Sequence, residues 1–260
     1  MTDLARHNPT GRFSGLAGLY ARHRPGYPPE ALDRIVRHCG LGPDTPLVDV
    51  GCGTGISSRL FAARGVPVIG IEPNDEMRAR AEEVPSPGAR APEYRPGRAE
   101  ATGLPDGCAQ AVLAAQSFHW FDAPAALREF HRILRPGGWV ALLWNERDEG
   151  DPCTAAFGAV LRSGRDAVAL EVARGGAGEV LLHSPLFEDG TRFAFTNEQV
   201  LDEEGLLGRA FSASYAPREP AAAAAFAAAL RRVFAAYQSA GRVVLRYRTT
   251  AYMARRKGPA

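Results

Sequence analysis

The apolar tetrapeptide Leu47-Val48-Asp49-Val50 runs directly into Gly51-Cys52-Gly53-Thr54-Gly55, three glycines at alternate positions. Glycine has no Cβ, so it takes positive φ without strain and lets another molecule approach the main chain. An amphipathic stretch from Ile56 to Arg64, stopped by Gly65, follows the turn and reads as a helix. The chain is therefore committed to a strand, a tight glycine turn and a helix, the unit from which sheets covered by helices are built. The spacing is not that of the dinucleotide fingerprint, whose third glycine falls where this chain has Ile56. No lysine follows the last glycine, so the phosphate-binding P-loop is excluded as well. Two readings stand at this point: a plain strand-to-helix turn, or a cradle for a ligand with a ribose and a short polar tail.

The next segment favours the cradle. Val66 to Ile71 reads as a second buried strand ending in Glu72, where a carboxylate is placed to accept two hydrogen bonds from a ribose diol. Asn74 then caps a helix over Asp75 to Glu83. Further strands are expected at Leu47 to Val50, Glu93 to Arg95, Ala109 to Ala115 and Trp139 to Leu143, with a helix from Ala123 to Leu134 capped by Asp122. Strands alternating with helices give an α/β fold with a doubly wound, mostly parallel sheet. Asn145 to Asp189 breaks this rhythm with two weak helical patterns, interrupted by Arg174-Gly175-Gly176-Ala177-Gly178. Thr191 to Phe195 reads as a strand, Thr196 with Gln199 as a capping box for a helix through Leu207, and Glu219 to Ser239 as a long alanine-rich helix. The run Gly241 to Met253 alternates between a drier and a wetter face and reads as the last strand; Arg255-Arg256-Lys257 reads as a solvated tail.

These residues resemble the class I S-adenosylmethionine (SAM)-dependent methyltransferases, of the type 11 group that includes small-molecule enzymes of the trans-aconitate methyltransferase type. The resemblance is carried by Asp49 to Gly55, by Glu72, by Gly97 to Asp106, by Gln116-Ser117-Phe118-His119-Trp120-Phe121, by Phe130 to Trp139, and by Tyr20 to Pro28 ahead of the first strand. Arg98 departs from the family, where an acid or a small residue is usual. The resemblance implies seven strands with an antiparallel edge strand and a helical lid. It implies one domain over 1–260, with 1–40 as an N-terminal lid and 145–190 and 197–240 as helical covers of an acceptor pocket. It further implies that SAM is held by Arg24, Asp49, Gly51, Cys52, Gly53, Gly55, Glu72, Pro73, Met77, Ala99, Glu100, Gln116 and Ser117.

Composition sets the outer limits. The net charge of +2 gives no electrostatic footprint for nucleic acid. No run approaches the roughly 18 apolar residues of a membrane span, and Met1 to Pro9 lacks a signal-peptide core. Cys39, Cys52, Cys108 and Cys153 are widely spaced, with neither a disulfide framework nor a metal-ligand pattern. The expectation is a cytoplasmic protein, monomer or homodimer, with a small-molecule acceptor and no metal, nucleic-acid or membrane partner.

Ligands of a doubly wound sheet bind beyond the carboxyl ends of its strands, which brings forward the residues just after each strand. His119 reads either as a proton acceptor, since imidazole titrates near about pH 6.5, or as a packed ring. Tyr20 is the second catalytic candidate; it either orients a ligand or lies on a helix surface. Trp120, Trp144, Asp202, Phe211 and Tyr215 are the acceptor-binding candidates. Their aromatic character favours an aromatic or indole-containing natural product, for example an indole carbon of a tryptophan-containing cyclic dipeptide. A small carboxylic acid is the alternative, a nicotinamide-dependent dehydrogenase the reading from another class, and a catalytically silent SAM-binding protein the third.

Overall fold

The computed structural model describes residues 15–86, 90–163 and 167–258, apart from the side chain of Leu170. Met1 to Pro9 lie outside the described residues. The strands are β1 (Leu47–Val50), β2 (Val68–Ile71), β3 (Glu93–Arg95), β4 (Ala109–Ala115), β5 (Leu134–Arg147), β6 (Phe187–Leu201) and β7 (Val243–Arg256). The helices are α1 (Ala17–His23), α2 (Pro29–His38), α3 (Ile56–Ala62), α4 (Asp75–Glu83), α5 (Ala123–Ile133), α6 (Pro152–Leu161), α7 (Ala167–Leu182), α8 (Glu203–Phe211) and α9 (Pro220–Tyr237). The strands form one sheet in the order β3-β2-β1-β4-β5-β7-β6. The first five are parallel; β7 runs antiparallel to both β5 and β6.

Because successive side chains of a strand point to opposite faces, the central strands fill two cores. Val48, Val50, Val112, Ala114, Val140 and Leu142 pack with Leu127, Phe130 and Ile133 of α5 and with Leu181 of α7. Leu47, Ala111, Leu113, Ala141 and Leu143 pack on the other face with Leu32 and Ile35 of α2 and Phe61 of α3. A third cluster joins α6, α8 and α9 to Leu201, Val243, Leu245 and Tyr247 at the end of the β6–β7 pair. Among the described residues no helix is long and apolar enough to cross a membrane.

Four local expectations are corrected. The strand expected at Thr191 to Phe195 is the fifteen-residue β6, and the helix expected from Thr196 begins at Glu203. Pairing with β7 continues to Leu201↔Val243, so the Thr196–Gln199 capping signal is overridden by the ladder and Asp202 caps α8, accepting from Gly205 N at 2.8 Å. The glycines after Arg174 do not break a helix, since α7 runs through them. Gly178 is instead the point of closest approach to the sheet, where a Cβ would stand 2.5 Å from the Tyr252 ring. The strand expected at Trp139 is longer at both ends, and its start passes through Gly137 (φ +74°) opposite an irregularity between Ala109 and Ala111. Finally, Arg255 and Arg256 belong to β7: Arg255 Nε donates to Asp189 at 2.7 Å and Arg256 Nη1 to the Leu134 carbonyl at 2.5 Å.

Candidate active site

The strand order reverses between β1 and β4, so the helices after these strands leave to opposite sides and a cleft opens at their carboxyl ends. The cleft spans about 1270 Å³ of atom-free space, part of it open to solvent. Its floor is the glycine turn. Gly51 and Gly53 line it with φ of +66° and +57°, and a Cβ on Gly51 would stand 2.7 Å from that of Ser117. Gly55 (φ +75°) lies beneath, where a Cβ would collide with the Tyr94 hydroxyl. Both Gly51 and Gly55 are thus required by packing as well as by φ.

Glu72 lines the cleft and is 8% exposed. Its Oε2 accepts from Gly53 N and its Oε1 from Asn74 N, both at 2.9 Å. Each oxygen keeps a further lone pair. Burial raises the carboxyl's pKa, while the two backbone N–H groups hold it down in part. Asn74 caps α4, accepting from Met77 N at 2.9 Å, and this fixes Met77 against the cleft. Ala99 and Glu100 arrive from the loop after β3, and Gln116 and Ser117 from the end of β4. Gln116 takes φ +61°, a left-handed conformation that costs a non-glycine residue free energy and recurs at ligand sites. Tyr20 of α1, with Arg24 and Pro25 from the segment after it, closes the cleft. That segment is tied down by Asn145 Nδ2 to the Gly26 carbonyl at 2.9 Å and by Gln199 Nε2 to the His23 carbonyl at 2.9 Å.

Of the residues expected around SAM, all line this cleft except Asp49 and Gly55. Asp49 is fully buried under the turn, where its Oδ2 accepts from Ser57 Oγ at 2.6 Å and Ser58 Oγ at 2.7 Å. Burial pushes its pKa up to about 6 against the opposing serine bonds. A buried carboxyl whose folded pKa exceeds its unfolded value binds its proton more tightly when folded. The stability it adds is therefore present below about pH 4 and lost as pH rises through about 6. Wild-type stability in urea, minus that of Asp49→Asn, is expected to fall by about 2 to 3 kcal/mol between pH 4 and pH 7; a flat difference would refute the raised pKa.

Of the two catalytic candidates, Tyr20 lines the cleft and His119 does not. His119 is buried on a single turn of 3-10 helix at Phe118–Trp120, and both ring nitrogens face N–H donors. Trp144 Nε1 points at Nδ1 from 3.4 Å, and Arg174 Nε at Nε2 from 3.3 Å. A neutral ring accepts at one of these nitrogens and carries N–H on the other, whereas an imidazolium would meet both donors with N–H groups of its own. Burial, then Arg174 and Arg24, drive the pKa well below 6.5, so the ring is neutral. Of the acceptor candidates, only Trp120 lines the cleft. Trp144 is a core residue against Tyr252, Phe211 packs on Phe226 at 5.3 Å between ring centres, and Asp202 is spent on its cap. Tyr215 is buried close to Arg174 and Arg209: burial raises its pKa, but the guanidinium groups outweigh it and the net direction is down.

Sequence reasoning singled out neither Arg147 nor Arg174 for the lining. Arg209 carried a legible signal, being a charge on the face of α8 that also buries Leu206 and Ala210.

A parallel sheet with this strand order, a glycine turn after β1 and an acid after β2 define the class I methyltransferase fold. Residues 48–142 match the family described as a methyltransferase domain. An uncharacterised methyltransferase of Mycobacterium tuberculosis is 38% identical over 141 residues, 53% of this chain and 53% of that protein. The malonyl-[acyl-carrier protein] O-methyltransferase of Pectobacterium atrosepticum is 33% identical over 132 residues, 50% of this chain and 49% of that protein. The chain thus spans about half the length of the curated relatives it matches. Among solved structures, a candidate type II methyltransferase from Anaeromyxobacter dehalogenans superposes with a TM-score of 0.59 at 22% identity, covering 90% of this chain and 97% of that one. That likeness is one of fold.

Proposed function

We propose that the protein is a SAM-dependent methyltransferase acting on a small molecule. The observation that carries this reading is the Glu72 carboxylate set beside the exposed backbone of Gly51 and Gly53 in one cleft at the sheet's switch point. The residues fit the cofactor: Glu72 has lone pairs for a ribose diol, Met77, Ala99 and Glu100 form the wall for the base, and Arg24 is a cation for the amino-acid carboxylate. Bound there, SAM supplies a methyl group already activated on sulfur. The protein's own task is to position a nucleophile and exclude water, the service rendered by the segment of Tyr20, Arg24 and Pro25 across the opening. Tyr20 and Trp120 line the same cleft, where the acceptor would meet the methyl group.

Two acceptor classes have support in the lining. Trp120, Phe121, Tyr20 and Tyr27 offer rings to an aromatic or indole-containing natural product, although the wall lacks Trp144 and Phe211. Arg174 and Arg209 offer charge to a small carboxylic acid, Arg147 being paired with Glu171 and Glu149, and this favours an O-methyltransferase. Methylation of a carboxylate needs no base, which agrees with a His119 that is buried and outside the cleft lining.

The test has two stages. Calorimetric titration with S-adenosylhomocysteine and with NAD is expected to give binding of the first alone; NAD binding without S-adenosylhomocysteine binding would establish a dehydrogenase. Transfer of labelled methyl from SAM to indoles, cyclic dipeptides, phenols and small carboxylic acids is then followed by mild base treatment. Base-labile label identifies a methyl ester, base-stable label a carbon, nitrogen or ether product, and cofactor binding with no transfer to any acceptor a silent binding protein.

A further inference from the structure

Gly208 sits inside α8, where no positive φ calls for glycine and where glycine is a poor helix former. Its reason is a neighbour. His23, 9% exposed at the end of α1, lies so close that a Cβ on Gly208 would stand 2.5 Å from Cδ2 and Nε2 of the imidazole and 2.6 Å from its Cε1. Neither residue lines the cleft, yet His23 stands between two that do. Arg24 is the next residue, and Tyr20 lies one turn earlier, its carbonyl accepting from Arg24 N at 3.1 Å.

Hydrogen bonds tether the main chain of the same segment. Gln199 Nε2 donates to the His23 carbonyl at 2.9 Å, and the Gly26 carbonyl accepts from Asn145 Nδ2 at 2.9 Å and Asn197 Nδ2 at 3.1 Å. At the start of the segment Gly15 N donates to Glu76 of α4 at 2.6 Å, so the cover reaches across the opening from α4 to α8. The separation of two packed helices, however, is set by the side chains at their contact. Where α1 meets α8 that contact is an imidazole on a bare glycine. The close approach brings Arg24 Nη2 to 3.0 Å from the Ser212 carbonyl at the end of α8, where a cation is favoured.

Resting on the cofactor assignment above, we infer that His23 and Gly208 are positioning residues: the imidazole seated on α8 is the latch that holds Tyr20 and Arg24 over the bound cofactor. A wider separation of α1 from α8 draws both side chains back and leaves the cleft open to water, which the reaction has to exclude. The seat accepts only glycine, so the latch responds to a single methyl group.

The experiment compares wild type, Gly208→Ala, His23→Ala and the double variant by calorimetric titration with S-adenosylhomocysteine and by hydrogen exchange. Gly208→Ala is expected to weaken binding by about tenfold or more, as for loss of one charged hydrogen bond to the ligand's carboxylate. Exchange of the amides of residues 17–26 should quicken, while α8 stays as protected as in wild type because alanine is the better helix former. In the His23→Ala background the same substitution is expected to cost less than about twofold, a non-additivity that reports direct contact between the two positions. Wild-type affinity in Gly208→Ala, or an equal loss in both backgrounds, would overturn the latch; the second result would place the effect in α8 and its Arg209. Should Gly208→Ala not fold, Gln199→Leu cuts the tie to the His23 carbonyl without adding bulk at the contact. It is expected to weaken S-adenosylhomocysteine and quicken exchange in 17–26, and unchanged affinity there would overturn the inference equally. If wild type does not bind S-adenosylhomocysteine, the cofactor assignment fails, and the exchange of residues 17–26 in the four proteins decides the latch alone.

Discussion

Glu72→Ala is expected to weaken S-adenosylhomocysteine binding by at least about a hundredfold. The carboxylate has two roles that the substitution removes together. It holds the glycine turn and the start of α4 in place, through Gly53 N and Asn74 N at 2.9 Å each, and it presents its remaining lone pairs to the cleft. A hydrogen bond to a charged group contributes about 1.5 to 3 kcal/mol. Loss of two such bonds to a ribose, together with a loosened turn, amounts to about 3 to 4 kcal/mol. Glu72→Gln is expected to fall between the wild type and the alanine variant, because an amide keeps one acceptor oxygen and puts an NH₂ where the other was. Calorimetry on both variants, with circular dichroism to establish that they are folded, is the check. Binding by Glu72→Ala within tenfold of wild type would mean that the ligand does not use this carboxylate.

The contrast between Glu72 and His119 shows where a sequence is legible. Glu72 is set by local chemistry: a short strand, an acid at its end and a cap two residues on, all within one stretch of chain, and the bounds of β1, β3, β4 and α4 follow from the same kind of signal. The environment of His119 is made by Trp144 from β5 and Arg174 from α7, which lie 25 and 55 residues away and carry no mark in sequence of where they will point. The same holds for β6. Its Thr196-x-x-Gln199 signal is a sound helix start taken alone, and only the distant β7 turns it into ladder, with Asn197↔Tyr247 and Gln199↔Leu245 in register. The stretch Arg174-Gly175-Gly176-Ala177-Gly178 misled for a related reason. Glycine near a helix end reads as a stop, whereas in α7 one of these glycines, Gly178, is what lets the helix sit against Tyr252 and so delivers Arg174 to the cleft.

Glu129→Gln is expected to destabilise the fold by about 2 to 3 kcal/mol at pH 7, and to do so far less at pH 3. Glu129 is 9% exposed on α5 and ties that helix to the loop that brings Ala99 and Glu100 to the cleft. Its Oε1 accepts from Thr102 N at 2.8 Å, Thr102 Oγ1 at 2.6 Å and Arg132 Nη2 at 2.7 Å, and its Oε2 from Arg132 Nε at 2.8 Å. Burial works to raise the carboxyl's pKa, but the bonds from Arg132 and Thr102 outweigh it and bring it to about 2. Breaking a buried pair of this kind costs about 3 to 5 kcal/mol, and the lower figure above allows for Arg132 being 37% exposed to solvent. A carboxyl depressed in the folded state contributes stability that is complete above its unfolded pKa near 4.5 and is lost as pH falls toward 2. Wild type and Glu129→Gln should therefore differ most in urea denaturation at neutral pH and converge in acid. Equal differences at pH 7 and pH 3 would show that the glutamine disrupts packing and that the charge on Glu129 is not what binds α5 to the wall of the site.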